Sequence, residues 1–175
     1  MSSLSLPDLI GPETADAILA ALRTVAERSF FADAEPCDDR TFGRLTSGVS
    51  SWLVATVRFE EGTAIGALSC TLPDALATAL FEAFTGYDPS AAEPLRADVL
   101  DLVGEFANMV CGAWLSHSAA ACTFRLSPPV VESALQPAAA DLLQLLFVTV
   151  NDQPLAVSVR LLQPGSRDAA FAAGS

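Results

Sequence analysis

Residues 98–118, DVLDLVGEFANMVCGAWLSHS, constrain this chain more than any other stretch. They predict one long helix that is apolar nearly all round. At about 100° per residue, Asp98, Asp101, Glu105, Asn108, Gly112 and Ser116 fall within about 80° of one another. Val99, Leu100, Leu102, Val103, Phe106, Ala107, Met109, Val110, Trp114 and Leu115 occupy most of the remaining circumference. A helix this apolar is buried over most of its surface. Any fold must therefore be built around it. The polar stripe is the one line along which it can meet water or a partner, and Glu105 and Asn108 are neighbours on that line at i, i+3.

A chain of 175 residues is one domain, or one domain of two similar halves. Hydrophobic residues make up 51% of it and charged ones 17%, enough to bury a large core and too apolar for global disorder. No apolar run reaches the length expected of a bilayer span. The start, MSSLSLPDLI, lacks the basic and apolar regions of a secretory signal. Cys37, Cys70, Cys111 and Cys122 form no CxxC pair and no metal-ligand spacing, so they read as reduced cytosolic thiols. The net charge is −12, and all nine basic residues are arginine. Such a surface repels nucleic acid and anionic membrane, and it favours solubility or a partner presenting positive charge.

The organisation expected along the chain is a loose leader over 1–12, a single domain over 13–162 and a frayed tail over 163–175. Within the domain, a helix runs over Glu13–Phe31 and an extended piece over Ala32–Cys37, followed by a polar loop over Asp38–Gly48. Val49–Phe59 and Thr63–Leu72, joined at Glu60–Gly62, predict a β-hairpin. Pro73 opens a helix over Asp74–Phe84, with Thr71 as candidate cap and Gly86 as stop. After an acidic loop, Tyr87–Pro94, comes the long helix. Cys122–Val131 predicts a strand interrupted by Ser127-Pro128-Pro129, and two prolines place that strand at an edge or a bulge. Leu142–Val150 and Leu155–Leu162 flank the turn Asn151-Asp152-Gln153-Pro154. Residues 13–72 and 96–162 share the order helix, strand, hairpin. The pattern predicts an internally duplicated α+β fold, with helices on one face of a mostly antiparallel sheet.

Among candidate sites, Glu105 and Asn108 come first, and two readings stand. They are the solvated residues of the helix's only wet stripe, or they do chemistry. Asparagine is a poor helix former, and the only other one lies in the turn at Asn151. Gly112, one turn on, lets another surface approach closely. Asp98 and Asp101 sit near a helix N-terminus, where carboxylates are favourable, and carboxylates along one helix cannot surround a metal. His117 lies about 180° from Asn108 and reads as a helix-end residue. No GxSxG, GxxxxGK[ST] or GxGxxG occurs. Trp52 and Trp114 fall in apolar periodic segments and read as core.

Glu105-Phe-Ala-Asn108-Met-Val-Cys-Gly112, followed by Phe124-Arg-Leu-Ser-Pro-Pro-Val-Val131, resembles the signature of the CheC/CheX/FliY chemotaxis phosphatases. There an ExxN pair on a long helix precedes a strand of the type LSxP. The order of the other segments over about 15–162 is also similar to that of CheX-like domains. The resemblance implies a CheC-like α+β fold and hydrolysis of the aspartyl phosphate on a CheY-like receiver domain. Asn108 would orient the attacking water and Glu105 would pair with the receiver's lysine, with Asp101 and Gly112 beside them at the docking surface. The chain would need no cofactor of its own, because Mg2+ belongs to the receiver. Positioning and charge stabilisation dominate phosphoryl transfer, so no activated nucleophile is required. The first helix carries no asparagine, which implies one site, as in CheX. Ala113 stands where the family often has asparagine. A homodimer is implied as an option. The competing reading is a binding module that docks a receiver or partner subunit without hydrolysis, as the related domain of FliM is structural and lacks the pair.

Overall fold

In the computed structural model, residues 10–162 are described, apart from 63, 89, 91, 119–121 and 135–143. The expected tail over 163–175, residues 1–9 of the expected leader and the first two residues of the strand expected at 142 lie outside the described residues.

Helix α1 (Thr14–Phe30) ends where Phe31 turns left-handed, at φ 52°, and the Ala32 amide donates to the Ala26 carbonyl at 3.1 Å. Strand β1 is short (Ala34–Pro36). The stretch expected as a polar loop instead contains helix α2 (Asp39–Thr46). Asp38 caps it by accepting from the Thr41 amide at 2.7 Å, and Phe42 stacks on Phe147 at 4.2 Å between ring centroids. Its apolar face is only Phe42 and the half-buried Leu45, at i, i+3, and a pattern this short, with Gly43 inside it, reads as a loop in the sequence.

Strands β2 (Trp52–Glu61) and β3 (Ala64–Pro73) form the expected hairpin, paired from Trp52–Pro73 to Glu61–Ala64. Helix α3 (Asp74–Thr85) stops at Gly86, whose φ is 66°. Thr71 is not its cap. It lies within β3, paired with Val54 and Ala156. Asp74 in the first turn instead accepts from the Ser51 hydroxyl and from Arg96. Arg96 opens the long helix α4 (Arg96–Ser118), so this ion pair ties the starts of α3 and α4 together. Burial alone would raise the Asp74 carboxyl, but the Ser51 hydroxyl and the Arg96 guanidinium outweigh it and hold it below the usual carboxylate range.

By length and composition α4 would also pass as a membrane span, contrary to the expectation from the sequence. Half of its most apolar window is buried inside the domain, where it forms the centre of the core.

Strands β4 (Arg125–Leu126), β5 (Val130–Ala134), β6 (Gln144–Val150) and β7 (Gln153–Leu162) complete a seven-stranded sheet in which every pairing is antiparallel. Its order is β1-β6-β7-β3-β2-β4, with β5 continuing along β2 beyond β4. Read from either end, it runs short strand, hairpin, hairpin, short strand. The β6–β7 turn is tighter than expected, because Pro154 is already inside β7. Asn151 and Asp152, at φ 46° and 64°, make a two-residue hairpin turn whose twist suits the flanking strands.

Side chains alternate across the sheet. Leu53, Ala55, Val57, Phe59, Leu68, Cys70, Val148 and Val157 face α1, α3 and α4 in the main core. Trp52, Phe147 and Ala156 point the other way and form a small second cluster with Phe42 of α2. The long helices thus share one face, as expected, and α2 is an addition on the other.

The double proline sits at an edge and makes a bulge. Leu126 pairs with Phe59 and Val130 with Thr56, so three residues (Ser127, Pro128, Pro129) oppose two (Val57, Arg58). Ser127 fastens the bulge to β2. Its amide donates to the Arg58 carbonyl at 2.9 Å and its hydroxyl accepts from the Arg58 amide at 3.2 Å. The extra residue resets the alternation, and so Leu126 and Val131, opposite the core residues Phe59 and Ala55, both face the helices.

Candidate functional site

Helix α4 is set rigidly into the molecule. Trp114 is fully buried and meets Phe59 edge-on at 5.5 Å, and Phe106 meets Phe30 of α1 edge-on at 5.2 Å. Phe59 in turn lies over Gly66 of β3, where a Cβ would fall within 2.3 Å of the ring. Any larger residue there would strike the ring that Trp114 packs against.

Against this background the polar stripe stays open. Asp98, Asp101, Glu105 and Ser116 are exposed, and Asn108 and Gly112 are half-buried. Among the described residues, neither the Glu105 nor the Asn108 side chain has a hydrogen-bond or ion-pair partner. A carboxylate, which only accepts, and an amide, which both donates and accepts, thus stand side by side on a fixed scaffold with unsatisfied capacity. Asp101 continues the line one turn earlier. A Cβ at Gly112 would meet only Leu126 Cδ1 at 3.9 Å, an ordinary contact. The chain's own packing does not require a glycine at that position.

Gly104 is different, and nothing local in the sequence marks it. It is buried, and a Cβ there would lie 3.0 Å from Pro129 Cγ and 3.3 Å from both Pro129 Cβ and Val131 Cγ2. The constraint comes from the bulge, 25 residues away in sequence. The signal that could have found it is the pairing of a mid-helix glycine with a double proline in an edge strand.

The other candidates fall into structural places. His117 is exposed in the last turn of α4, Trp52 is 2% exposed and Trp114 is 0%. None of the four cysteines is in a disulfide. Burial pushes the Cys111 thiol up to about 12 and the Cys70 thiol higher still, with the neighbouring Cys111 adding to the rise. Burial, followed by the charges of Asp38 and Asp39, also raises Cys37. None of these three is a thiolate nucleophile near neutral pH. Among the described residues no three histidine, cysteine, aspartate or glutamate side chains are grouped to hold a metal ion.

The sequence matches the family model for the chemotaxis phosphatase CheX over residues 53–150, more than half of the chain and including both Glu105 and Asn108. No curated protein matches it. Several solved structures share the fold. The chemotaxis protein CheX from Vibrio vulnificus is 18% identical, with a TM-score of 0.65 over 86% of this chain and 97% of its own. A chemotaxis protein from Desulfovibrio vulgaris Hildenborough is 19% identical, with a TM-score of 0.64 over 87% and 99%. The CheX of a CheX-CheY-BeF3-Mg2+ complex from Borrelia burgdorferi is 13% identical, with a TM-score of 0.58 over 85% and 97%.

Proposed function

The chain belongs to the CheX family of chemotaxis phosphatases, and we propose that it hydrolyses the aspartyl phosphate of a response-regulator receiver domain. The observation that carries this reading is the pair Glu105 and Asn108, adjacent on the one open edge of a buried helix and unengaged by the rest of the described chain. The Borrelia burgdorferi relative was solved together with CheY, BeF3 and Mg2+, which supports a receiver as the partner.

In this mechanism Asn108 reaches into the receiver's active site and holds a water in line with the phosphorus. The amide oxygen accepts from the water and the amide NH2 donates to it or to the phosphoryl oxygens. The water oxygen bonds to phosphorus as the bond from phosphorus to the aspartyl oxygen breaks. Inorganic phosphate leaves and the receiver's carboxylate is restored. Placing the water removes much of the entropic part of the barrier, and this is the role of water-positioning amides in other phosphoryl transfers. Glu105 pairs with a lysine of the receiver, a charge-assisted contact that fixes the docked pose. Asp101 presents a second carboxylate to the same cationic surface, and Gly112 leaves clearance for it. The magnesium ion is the receiver's, and this chain contributes no ligand to it.

The test is the rate at which radiolabelled phosphate leaves phosphorylated receivers. The unchanged chain should speed the loss from at least one of them, and Asn108→Ala should remove that acceleration while binding to the BeF3-loaded receiver persists. Full activity in Asn108→Ala sinks the mechanism. Tight binding with no change in phosphate half-life for any receiver would make the domain a docking module.

A further inference from the structure

Gly104, Asn108 and Gly112 are spaced i, i+4, i+8 and so lie on one ridge of α4. The two glycines at the ends of this ridge meet the bulged edge strand. Pro129 and Val131 stand over Gly104, and Leu126 stands over Gly112. Asn108 lies between the two contacts. The extra residue of the bulge is what turns Leu126 and Val131 to the same side, and without it one of them would face away from α4. The hydrogen bonds of Ser127 to Arg58 fasten this wall to the sheet.

We propose that Gly104 and Pro129 are positioning residues of the phosphatase site. The close contact of a bare helix backbone with a rigid ring sets how far α4, and with it Asn108, stands out from the bulge. This inference rests on the function proposed above. An added methyl at Gly104 forces the ring and the helix apart by a few tenths of an ångström, because neither neighbour is a flexible chain end. An amide that must hold water in line with phosphorus is sensitive to displacements of this size.

The experiment compares Gly104→Ala, Pro129→Ala and the double variant; its kinetic arm uses a receiver that the unchanged chain is first shown to dephosphorylate, and its resonance arm needs no receiver. In Gly104→Ala, kcat should fall about tenfold while KM, and Kd for the BeF3-loaded receiver, stay within about twofold. In Pro129→Ala, which removes the ring without adding a clash, kcat should fall about threefold. The double variant, with the 3.0 Å conflict at Cγ gone, should recover most of the loss in Gly104→Ala. The side-chain amide resonances of Asn108 should move in Gly104→Ala and return in the double variant. Unchanged kcat in a folded Gly104→Ala, or equal losses in kcat and in binding, overturns the proposal. So does an Asn108 amide that does not move, whatever the activity. If the amide moves and returns but no receiver is dephosphorylated, the positioning stands and the phosphatase reading is what fails. If Gly104→Ala does not fold, an unaltered kcat in Pro129→Ala overturns it.

Discussion

At one end of the sheet β1 lies beside α1, and at the other β4 and β5 lie beside α4. The first junction is polar. The Arg23 side chain of α1 donates through Nε to the carbonyl of the buried Ala34 at 2.9 Å and through Nη2 to Glu35 at 2.7 Å, an ion pair whose side chains are 46% and 68% exposed. The second junction is a proline ring and a valine methyl against a bare glycine. A guanidinium on a flexible stem follows its partner through small shifts, whereas a ring pressed on backbone does not. The open pair Glu105 and Asn108 lies at the stiff end. The corresponding helix at the compliant end, α1, has no asparagine. Where a side chain must be held to a fraction of an ångström, the contact is apolar and close.

This contrast can be broken in several places. The largest effect is expected at the seat of α4. Trp114→Ala should cost about 3–5 kcal/mol of stability, read by denaturant unfolding, because it empties the space over Phe59. A cost under about 1 kcal/mol would mean that α4 is not rigidly seated. Next comes Asn108→Ala, with an expected loss of about a hundredfold in receiver dephosphorylation, the scale of removing one aligned polar group from a transition state. Its unfolding midpoint should not fall and should rise slightly, since the side chain has no partner among the described residues and alanine is the better helix former by about 0.5 kcal/mol.

A smaller effect is expected at the tie between α3 and α4. The folded carboxyl of Asp74 titrates below its unfolded value. Its contribution is therefore complete above the unfolded value of about 3.9 and is lost as pH falls through the folded one. The stability difference between the unchanged chain and Asp74→Asn should be constant near neutrality and shrink in acid. A difference that grows on acidification would contradict the assignment. The smallest effect belongs to the compliant end. Arg23→Ala should cost about 0.2–1 kcal/mol, as expected of an exposed pair, and leave dephosphorylation untouched.

Much of this was legible because it is local. The stripe of α4 follows from composition and a 3.6-residue period, both hairpins from β-rich runs broken by turn residues, and the edge bulge from two prolines that cannot donate to a ladder. The rest depends on partners far away in sequence. Helix α2 is held because Phe42 finds Trp52 and Phe147, which are ten and 105 residues distant. Gly104 reads as an unremarkable residue until the strand after the helix folds back on it. Thr71 looked like a cap because a hydroxyl two residues before a helix proline suits one, yet strand pairing had already engaged its backbone.

The small cluster of Phe42, Trp52 and Ala156 is separated by the sheet from the main core. Helix α2 should therefore open separately from α4. Its backbone amides should exchange with solvent deuterium through a local opening that leaves the ExxN helix folded. Those of α4 should exchange only when the whole domain unfolds. A partner or a lesion acting on that outer face would thus loosen one corner of the protein without disturbing the helix that carries Glu105 and Asn108.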